Sequence, residues 1–512
     1  MRSVGIARRA GVQVLTSGVA IEARSAAEDG SQPGLAVLAL LLAAILALRI
    51  LGIVFSTADL HNDEAQYWFW SRAFDYGYFL RPPGLTWLIG LVTAACGESE
   101  VCIRLPLPII ATASAFLIYA LALRLYDRRV AFWASIVYAT LPAVSAFAMV
   151  AEPESLFAFF LIAGLLLLSI HFERPRVASG LGLGVVLGLG IDTDYAMLYL
   201  PICSAIYIAA TPKARHVARA PATWLALALA FLIAAPHILW NADGGLVSFG
   251  EMLSAMGWTF RRLNPDATLL FIALQFILFG PILLFVLLRS VLARRNIAPR
   301  ATSDRFLLFH SVPIMAAVLI EAILFRARAH WTMPAFPAAS VFVTALLLRH
   351  GYNRVLLLST GIHVAILAAI VGLGVVAGRL AEIPFDSRML GWRSFAEGLS
   401  KAASVSEVKT LVLRGSDQVS ESLYYLRGRD LDIRVFSPRG PKRAADLDRW
   451  RTWAYGDPDT VLLATGRDPS AFGIPLGAAD KIGEFPVPSY LSPDRIFSLY
   501  RVNPPAESAF PQ

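Results

Sequence analysis

Side chains able to do chemistry gather at a few points between long apolar runs of this 512-residue chain. The densest stretch is Thr57 to Trp87, TADLHNDEAQYWFWSRAFDYGYFLRPPGLTW, in which Asp63 and Glu64 precede Tyr67, Trp68, Trp70 and Phe74, and Arg81-Pro82-Pro83 closes the segment. A carboxylate in such a place can take the proton of a hydroxyl nucleophile. An arginine presents a rigid, permanently charged fork of donors that matches phosphate oxygens. Asp63 is therefore the expected proton acceptor, with Glu64 beside it, and Arg81 the expected phosphate ligand, with Tyr67 as a substrate contact. A second acidic pair stands at Ala151-Glu152-Pro153-Glu154. Glu154, with Glu152 in reserve, would orient the base, bind an acceptor or join Asp63 in holding a divalent ion. Arg261, Arg262, Arg328 and His330 are further substrate-binding candidates. Each group also has a purely local reading: acidic residues suit a helix N-terminus, Glu154 can cap a helix after Pro153, and interfacial arginines snorkel to headgroups.

The elements that must carry these residues follow from the pattern around them. Tyr67, Trp68, Trp70 and Phe74 recur at roughly helical spacing, which predicts an amphipathic helix in the headgroup layer with Asn62 capping its start. That helix has to stop before Arg81-Pro82-Pro83, because proline removes a backbone donor and biases its predecessor away from helix. A second short apolar helix is expected from Leu85 to Ala95. Gly34 to Phe55 is apolar except for Arg49, long enough to span a bilayer and too long for a cleaved signal peptide. Arg49 should snorkel or face a partner helix.

Further apolar runs fall at about 104–123, 131–150, 154–172, 178–191, 195–210, 221–240, 267–288, 306–325, 332–348 and 355–378, so about eleven membrane spans are expected. With the N-terminal tail 1–33 in the cytoplasm, the inside loops hold Arg124, Arg128, Arg129, Arg174, Arg176, Lys213, Arg215, Arg219, Arg289, Arg294, Arg295, Arg300, Arg305, Arg349 and Arg354. The outside connections hold far fewer basic residues, as the positive-inside rule requires. All the candidates above, together with Asp192 and Asp194, then share the outer face, out of reach of cytoplasmic nucleotide-sugars.

Composition agrees. Hydrophobic residues make up 57% and charged residues 16%, against about 25% charged in an ordinary soluble protein. The formal net charge of +8 sits in short connections between apolar runs, which argues for orientation in a membrane and against nucleic-acid binding. Cys96, Cys102 and Cys203 form no metal-ligand pattern. Cys96 and Cys102 flank one turn and are read as unmodified small residues rather than a local disulfide.

From residue 379 onward the long apolar runs cease. Thr410–Leu413, Asp432–Phe436, Thr460–Thr465 and Arg495–Tyr500 read as strands, with helices at Ser420–Leu426 and Ala444–Trp453. The sequence thus predicts a polytopic α-helical membrane domain over 34–378 and a small extracytoplasmic α/β domain over 379–512.

The Asp63-Glu64 pair after the first span, the Tyr67-Trp68 helix and the basic residue before Pro82-Pro83 resemble the GT-C fold lipid-dependent glycosyltransferases, the aminoarabinose, galacturonosyl and protein mannosyl transferases. The resemblance runs from about residue 57 to 260 and returns at His330-Trp331-Thr332-Met333-Pro334-Ala335. It implies an inverting transfer of a sugar from a polyprenyl phosphate to an envelope lipid such as lipid A, to a glycan or to a protein. It also implies a place in the bacterial inner membrane, with the active site and C-terminal domain on the periplasmic side. No cofactor beyond a possible divalent metal ion is implied; the partners are the donor, the acceptor and membrane lipids. The chain departs from many relatives at Asp194, where they carry lysine. A transporter or flippase, or a noncatalytic envelope assembly protein, is the competing expectation; a transporter would place its polar groups near the bilayer midplane, often in repeated halves.

Overall fold

A computed structural model describes residues 34–78, 81–243, 264–292, 302–325, 327–380, 388–436, 451–455, 457–487 and 496–504. The membrane domain begins with α1 (Leu35–Val54) and the short α2 (Asn62–Trp70), α3 (Gly84–Cys96) and α4 (Glu100–Arg104). It continues through α5 (Pro106–Leu125), α6 (Arg128–Thr140), α7 (Pro142–Phe147), α8 (Pro153–Glu173), α9 (Val177–Ile191), α10 (Tyr199–Ala210), α11 (Arg215–Arg219) and α12 (Pro221–Asp243). It ends with α13 (Pro265–Leu278), α14 (Pro281–Leu292), α15 (Thr302–Phe309), α16 (Val312–Leu324), α17 (Phe336–Arg349) and α18 (Asn353–Leu380). The tail 1–33 lies outside the described residues.

Among the described residues seven helical segments are long and apolar enough to cross a membrane, or nine if two sharply bent pairs each count as one span. All eleven apolar runs are helical, yet two fall short of membrane length. Leu141-Pro142 divides the run 131–150 into α6 and α7, and the run 178–191 is the 15-residue α9. Both gain their partners inside the protein. From Val130 to Thr140 nearly every residue of α6 is buried, so lipid does not decide its length. Helix α9 packs closely on α12 through Gly180, Gly184 and Gly188, where a Cβ would come within 2.4, 2.8 and 3.1 Å of the Ala222, Ala226 and Ala230 carbonyl oxygens. Such small residues one turn apart let helix backbones approach in a membrane. Arg49 is fully buried and donates to the Ala139 carbonyl, so it faces a partner helix rather than the headgroups.

The end of α1 meets the end of α18: Thr57 N–H donates to Gly374 O at 3.0 Å and Thr57 Oγ1 accepts from Gly378 N–H at 2.7 Å. The C-terminal domain therefore leaves the bundle at the same end as the Thr57–Trp87 stretch. The opposite end is tied by Arg124 to Glu173 at 2.5 Å, Arg349 to Asp304 at 2.8 Å and Arg129 to Asn353 at 3.1 Å. Basic residues expected on one side of the membrane thus meet at one end of the bundle.

The C-terminal domain comprises α19 (Trp392–Ser406), β1 (Thr410–Leu413), α20 (Ser416–Tyr425), β2 (Asp432–Phe436), β3 (Thr452–Trp453), β4 (Val461–Thr465), β5 (Ala479–Pro486) and β6 (Ile496–Val502). The sheet order is β3-β2-β1-β4-β6-β5; β1 pairs parallel with β2 and β4, β2 parallel with β3, and β6 antiparallel with β4 and β5. Alternate residues of β1 face opposite cores: Leu411 and Leu413 join α19, Val412 joins Trp453 and Phe472. The expected helix at 444–453 ends differently, since Thr452–Trp453 pairs as an edge strand with Val435–Phe436, and the rest of that segment lies outside the described residues.

Two local expectations are corrected here. Helix α2 does not lie bare in the headgroup layer: Tyr67, Trp68 and Trp70 are buried, and Trp68 packs edge-on against Tyr424 of α20 with ring centroids 5.0 Å apart. The C-terminal domain covers Trp68, while Tyr78 stacks on Trp70 and Arg81 lies over Tyr67. Cys96 and Cys102 form a disulfide that closes the turn between α3 and α4.

Candidate active site

Helix α2 is the platform of the site, and its start is fixed by a reciprocal cap. His61, rather than Asn62, is the capping residue: its Nδ1 accepts the Asp63 amide proton at 3.2 Å, while Glu64 Oε2 accepts from His61 N–H at 2.8 Å. This is the capping-box arrangement, which satisfies two otherwise orphaned donors.

Glu64 has no capacity left for substrate. Its carboxylate receives Arg104 Nε at 2.9 Å, Arg104 Nη2 at 2.6 Å and the Ala151 amide at 2.7 Å, and both partners of the ion pair are buried. Burial alone would raise the Glu64 carboxyl, but Arg104 and the two backbone amides hold it below the usual range. Arg104 also binds Asp59 O at 2.8 Å. Glu64 therefore ties α2, α4 and the loop before α8 together from beneath the site.

Asp63 points into a different environment. Its Oδ2 lies 3.2 Å from Arg81 Nη2, and the side chains are 19% and 34% exposed, so the pair is reachable. Arg81 sits 6.0 Å over the Tyr67 ring, a cation–π distance. Its backbone is pinned to Tyr78 by bonds of 2.9 and 3.2 Å. On the far side of this loop His237 Nδ1 bonds Tyr76 O at 2.8 Å, and His237 Nε2 bonds the Tyr195 hydroxyl at 2.6 Å.

The turn before α8 supplies the second acidic pair. Glu152 Oε1 lies 3.5 Å from His61 Nδ1, and Glu154 Oε1 lies 3.5 Å from His330 Nε2. Glu154 Oε2 is buried and has no hydrogen-bond partner among the described residues. Burial pushes the Glu152 carboxyl above its usual range, opposed by His61 and assisted by the negative charge of Asp63. Asp194 is likewise raised by burial; it accepts from Ala196 N–H at 2.8 Å and feels the positive charge of Arg81. Arg81 is thus the cation shared by Asp63, Glu152, Glu154 and Asp194.

His61, Asp63 and Glu152 present ligand atoms within 4.8 Å of one another. His61 Nδ1 accepts the Asp63 amide proton, so a cation bound at Nδ1 beside the Glu152 oxygen would take the place of that capping bond. One imidazole and two carboxylates form a donor set known for zinc and other divalent ions. The sequence reading pairs Asp63 with Glu154 and keeps Glu152 in reserve; the geometry sets Glu152 and His61 near Asp63, with ligand atoms within 4.8 Å of one another.

The structure therefore brings Asp63, Tyr67, Arg81, Glu152, Glu154 and His330 together and sets Glu64 apart. Arg328 is exposed at the start of the turn Ala329–Ala335. Arg261 and Arg262 lie outside the described residues. Sequence reasoning missed His61 and Arg104. His61 was legible as the residue before Asn62-Asp63-Glu64, a possible helix cap; Arg104 carried no signal, since its partner is forty positions away.

Residues 80–240 match the model of the dolichyl-phosphate-mannose-protein mannosyltransferase family. The chain is 28% identical over 398 residues to the lipid A galacturonosyltransferase RgtD of Rhizobium johnstonii, covering 77% of this chain and 83% of that one. It is 31% identical over 206 residues to the lipopolysaccharide core galacturonosyltransferase RgtA of the same organism, covering 39% and 41%. The solved structure of ArnT from Cupriavidus metallidurans bound to undecaprenyl phosphate superimposes with a TM-score of 0.61 at 14% identity, over 94% of this chain and 100% of that chain. The full-length likeness to ArnT gives the fold, and the matched family model together with RgtD gives the reaction class, that of a lipid-dependent membrane glycosyltransferase.

Proposed function

We propose that the protein transfers a galacturonosyl residue from a polyprenyl phosphate to a lipid A-type glycolipid on the periplasmic face of the inner membrane. The acceptor and sugar follow the name of RgtD, the carrier the ligand of the solved ArnT structure, and the orientation the basic residues collected at the opposite end of the bundle. The observation that carries the reading is the Asp63–Arg81 pair, which sets a reachable carboxylate beside a guanidinium.

In this reading the acceptor oxygen attacks the anomeric carbon as the bond from that carbon to the phosphate oxygen breaks, in a single inverting displacement. Asp63 takes the acceptor hydroxyl proton. Arg81 binds the phosphate before the displacement and carries its growing negative charge as it leaves. Glu154, held by His330, orients the acceptor, and Tyr67 keeps Arg81 in place. His61, Asp63 and Glu152 would hold a divalent ion, whose positive charge would add to that of Arg81 near the phosphate.

The test is transfer in lipid nanodiscs from polyprenyl-phosphate galacturonate to lipid A, read by mass spectrometry of the glycolipid. A mass increase of one uronosyl unit, absent without the protein, is expected. Release of polyprenyl phosphate with no change in lipid A would move the acceptor to another envelope glycan. Retention of both substrates unchanged would overturn the reading. Dependence on the proposed ion is read separately, by titrating manganese into chelator-treated protein and into His61→Asn.

A further inference from the structure

Beside the catalytic residues, and not lined by any of them, a cleft of about 600 Å³ opens between the disulfide-closed turn and the C-terminal domain. Glu100, Arg393, Glu397, Tyr424, Arg427 and Arg429 contribute to its walls. The volume suits one or two sugar rings. Its charges are not equally available. Arg393 is committed to Glu100 at 2.8 Å and stacks over Tyr425 at 5.0 Å. Arg427 lies flat on Tyr424, 4.1 Å from the ring centre, with one Nη1 bond to the Tyr424 carbonyl and Glu98 4.0 Å away. Arg429 donates to Ser400 Oγ at 3.0 Å and makes no ion pair among the described residues. Glu397 is exposed, also without an ion pair among them.

The sequence signal is Arg427-Gly428-Arg429, just after α20. Gly428 takes φ +80°, a left-handed conformation that a side chain would strain, and the arginines on either side both line the cleft. Two exposed guanidiniums, one of them not neutralised, favour an anion. A free carboxylate beside them would repel a bare anion but accepts hydrogen bonds from hydroxyl groups. A ligand that satisfies both carries an anionic group and neighbouring hydroxyls on one small frame.

We infer that this cleft binds an anionic saccharide, a sugar bearing a phosphate or carboxylate, with the anion on Arg427 and Arg429 and ring hydroxyls on Glu397. The inference rests on the cleft and not on the transfer reaction. The cleft is joined to the catalytic helix through Tyr424, which packs on Trp68, and to the chain just before it through the Tyr425 hydroxyl, which accepts the Leu60 amide at 2.8 Å and donates to Glu100 at 2.7 Å. An occupant would thus lie against the group that holds the chain three residues before Asp63.

The test uses the full chain in nanodiscs and saturation-transfer NMR with glucose 1-phosphate, galacturonate and methyl galactoside as probes. Saturable binding of the two anionic sugars is expected, with the neutral glycoside roughly tenfold weaker or more, as loss of a charged hydrogen bond implies. Arg429→Gln should weaken the anionic sugars by a similar factor, Arg429→Lys should restore part of it, and Glu397→Gln should weaken binding less. Asp63→Asn should leave binding unchanged, because the probe is not in the catalytic centre. Wild-type binding in Arg429→Gln overturns the inference, as does loss of binding in Asp63→Asn. Displacement by inorganic phosphate at the sugar phosphate's own affinity would show that the cleft reads the anion alone, and would overturn the saccharide assignment.

Discussion

Arg81 Nη2 lies 3.2 Å from Asp63 Oδ2, so the proposed proton acceptor and the proposed phosphate ligand meet as one ion pair although eighteen residues separate them in the chain. A guanidinium has five N–H donors, and the bond to Asp63 uses one of them. The remaining donors leave capacity for phosphate oxygens while the contact to Asp63 persists. The pair therefore sets the distance between the proposed proton acceptor and the proposed phosphate ligand.

Arg81→Ala should weaken donor binding by roughly 10- to 100-fold, the equivalent of losing one hydrogen bond between charged groups. Arg81→Lys should recover part of that loss, since charge survives and the planar fork does not. Titration of the polyprenyl-phosphate donor against each purified variant measures this. Unchanged donor affinity in Arg81→Ala would reassign the phosphate to Arg328 or to the arginines at 261 and 262.

The Glu64–Arg104 pair predicts a stability effect instead of a kinetic one. Arg104→Met leaves the Glu64 carboxylate buried and deprived of three hydrogen bonds, at a cost of about 3–5 kcal/mol. The folded Glu64 carboxyl is held below its ordinary range. Its contribution is therefore complete at neutral pH and is lost as pH falls from the ordinary carboxylate range through the lower folded value. Thermal unfolding in detergent at pH 7 and pH 3 checks this. The gap between wild type and Glu64→Gln should be wide at the first and narrow at the second; equal gaps would refute the assignment.

How far the site could be read beforehand depends on what each residue answers to. Asp63, Arg81, Glu152 and Glu154 were legible because polar groups at the ends of apolar runs contrast with everything around them. Glu64 was grouped with Asp63 because neighbours in sequence look alike, whereas successive helix positions face different directions: Asp63 meets Arg81 and Glu64 turns back to Arg104. The aromatic face of α2 suggested lipid because Trp and Tyr at a membrane boundary usually meet headgroups, and only the tertiary fold brings Tyr424 onto Trp68. Strands β1, β2 and β4 were visible as short β-branched and leucine runs. Strand β5, with Ala479, Asp480, Lys481 and Gly483, has no such pattern and exists through its pairing with β6. The eleven apolar runs were found, but whether a run crosses the membrane depends on its neighbours, as the buried α6 shows.

Glu421 offers a pH test of how the two domains are joined. It lies on α20, the helix that covers α2; it is fully buried, and neither carboxyl oxygen has a hydrogen-bond partner among the described residues. Burial, with Asp59, Glu64 and Asp417 nearby and Arg104 opposing them, pushes its carboxyl well above the usual range. The folded protein keeps that proton after the unfolded chain has released it, so this group's contribution declines as pH rises from the ordinary carboxylate range toward the folded value. Glu421→Gln, neutral throughout, should melt higher than wild type at pH 8 and by a smaller margin at pH 5. Parallel melting temperatures at the two values would show that Glu421 is already ionised and compensated.

Asp63→Asn should reduce transfer by roughly 100- to 10,000-fold, the range associated with a positioned general base, while donor binding stays near the wild-type value. The amide keeps the shape of the carboxylate and an oxygen for Arg81, but it cannot accept the proton. Glu154→Gln provides the contrast. Glu154 Oε1 faces His330 and Oε2 has no hydrogen-bond partner among the described residues, so a group that only orients the acceptor should raise the acceptor KM more than it lowers kcat. Single-turnover transfer with donor binding assayed in parallel separates the cases. If Glu154→Gln loses kcat and Asp63→Asn does not, the proton goes to Glu154, and the Asp63–Arg81 pair becomes a phosphate-positioning device. If Asp63→Asn loses donor binding along with turnover, Asp63 acts through Arg81 or the proposed ion. Full kcat in both variants would require an acceptor that needs no base, such as one already ionised at neutral pH.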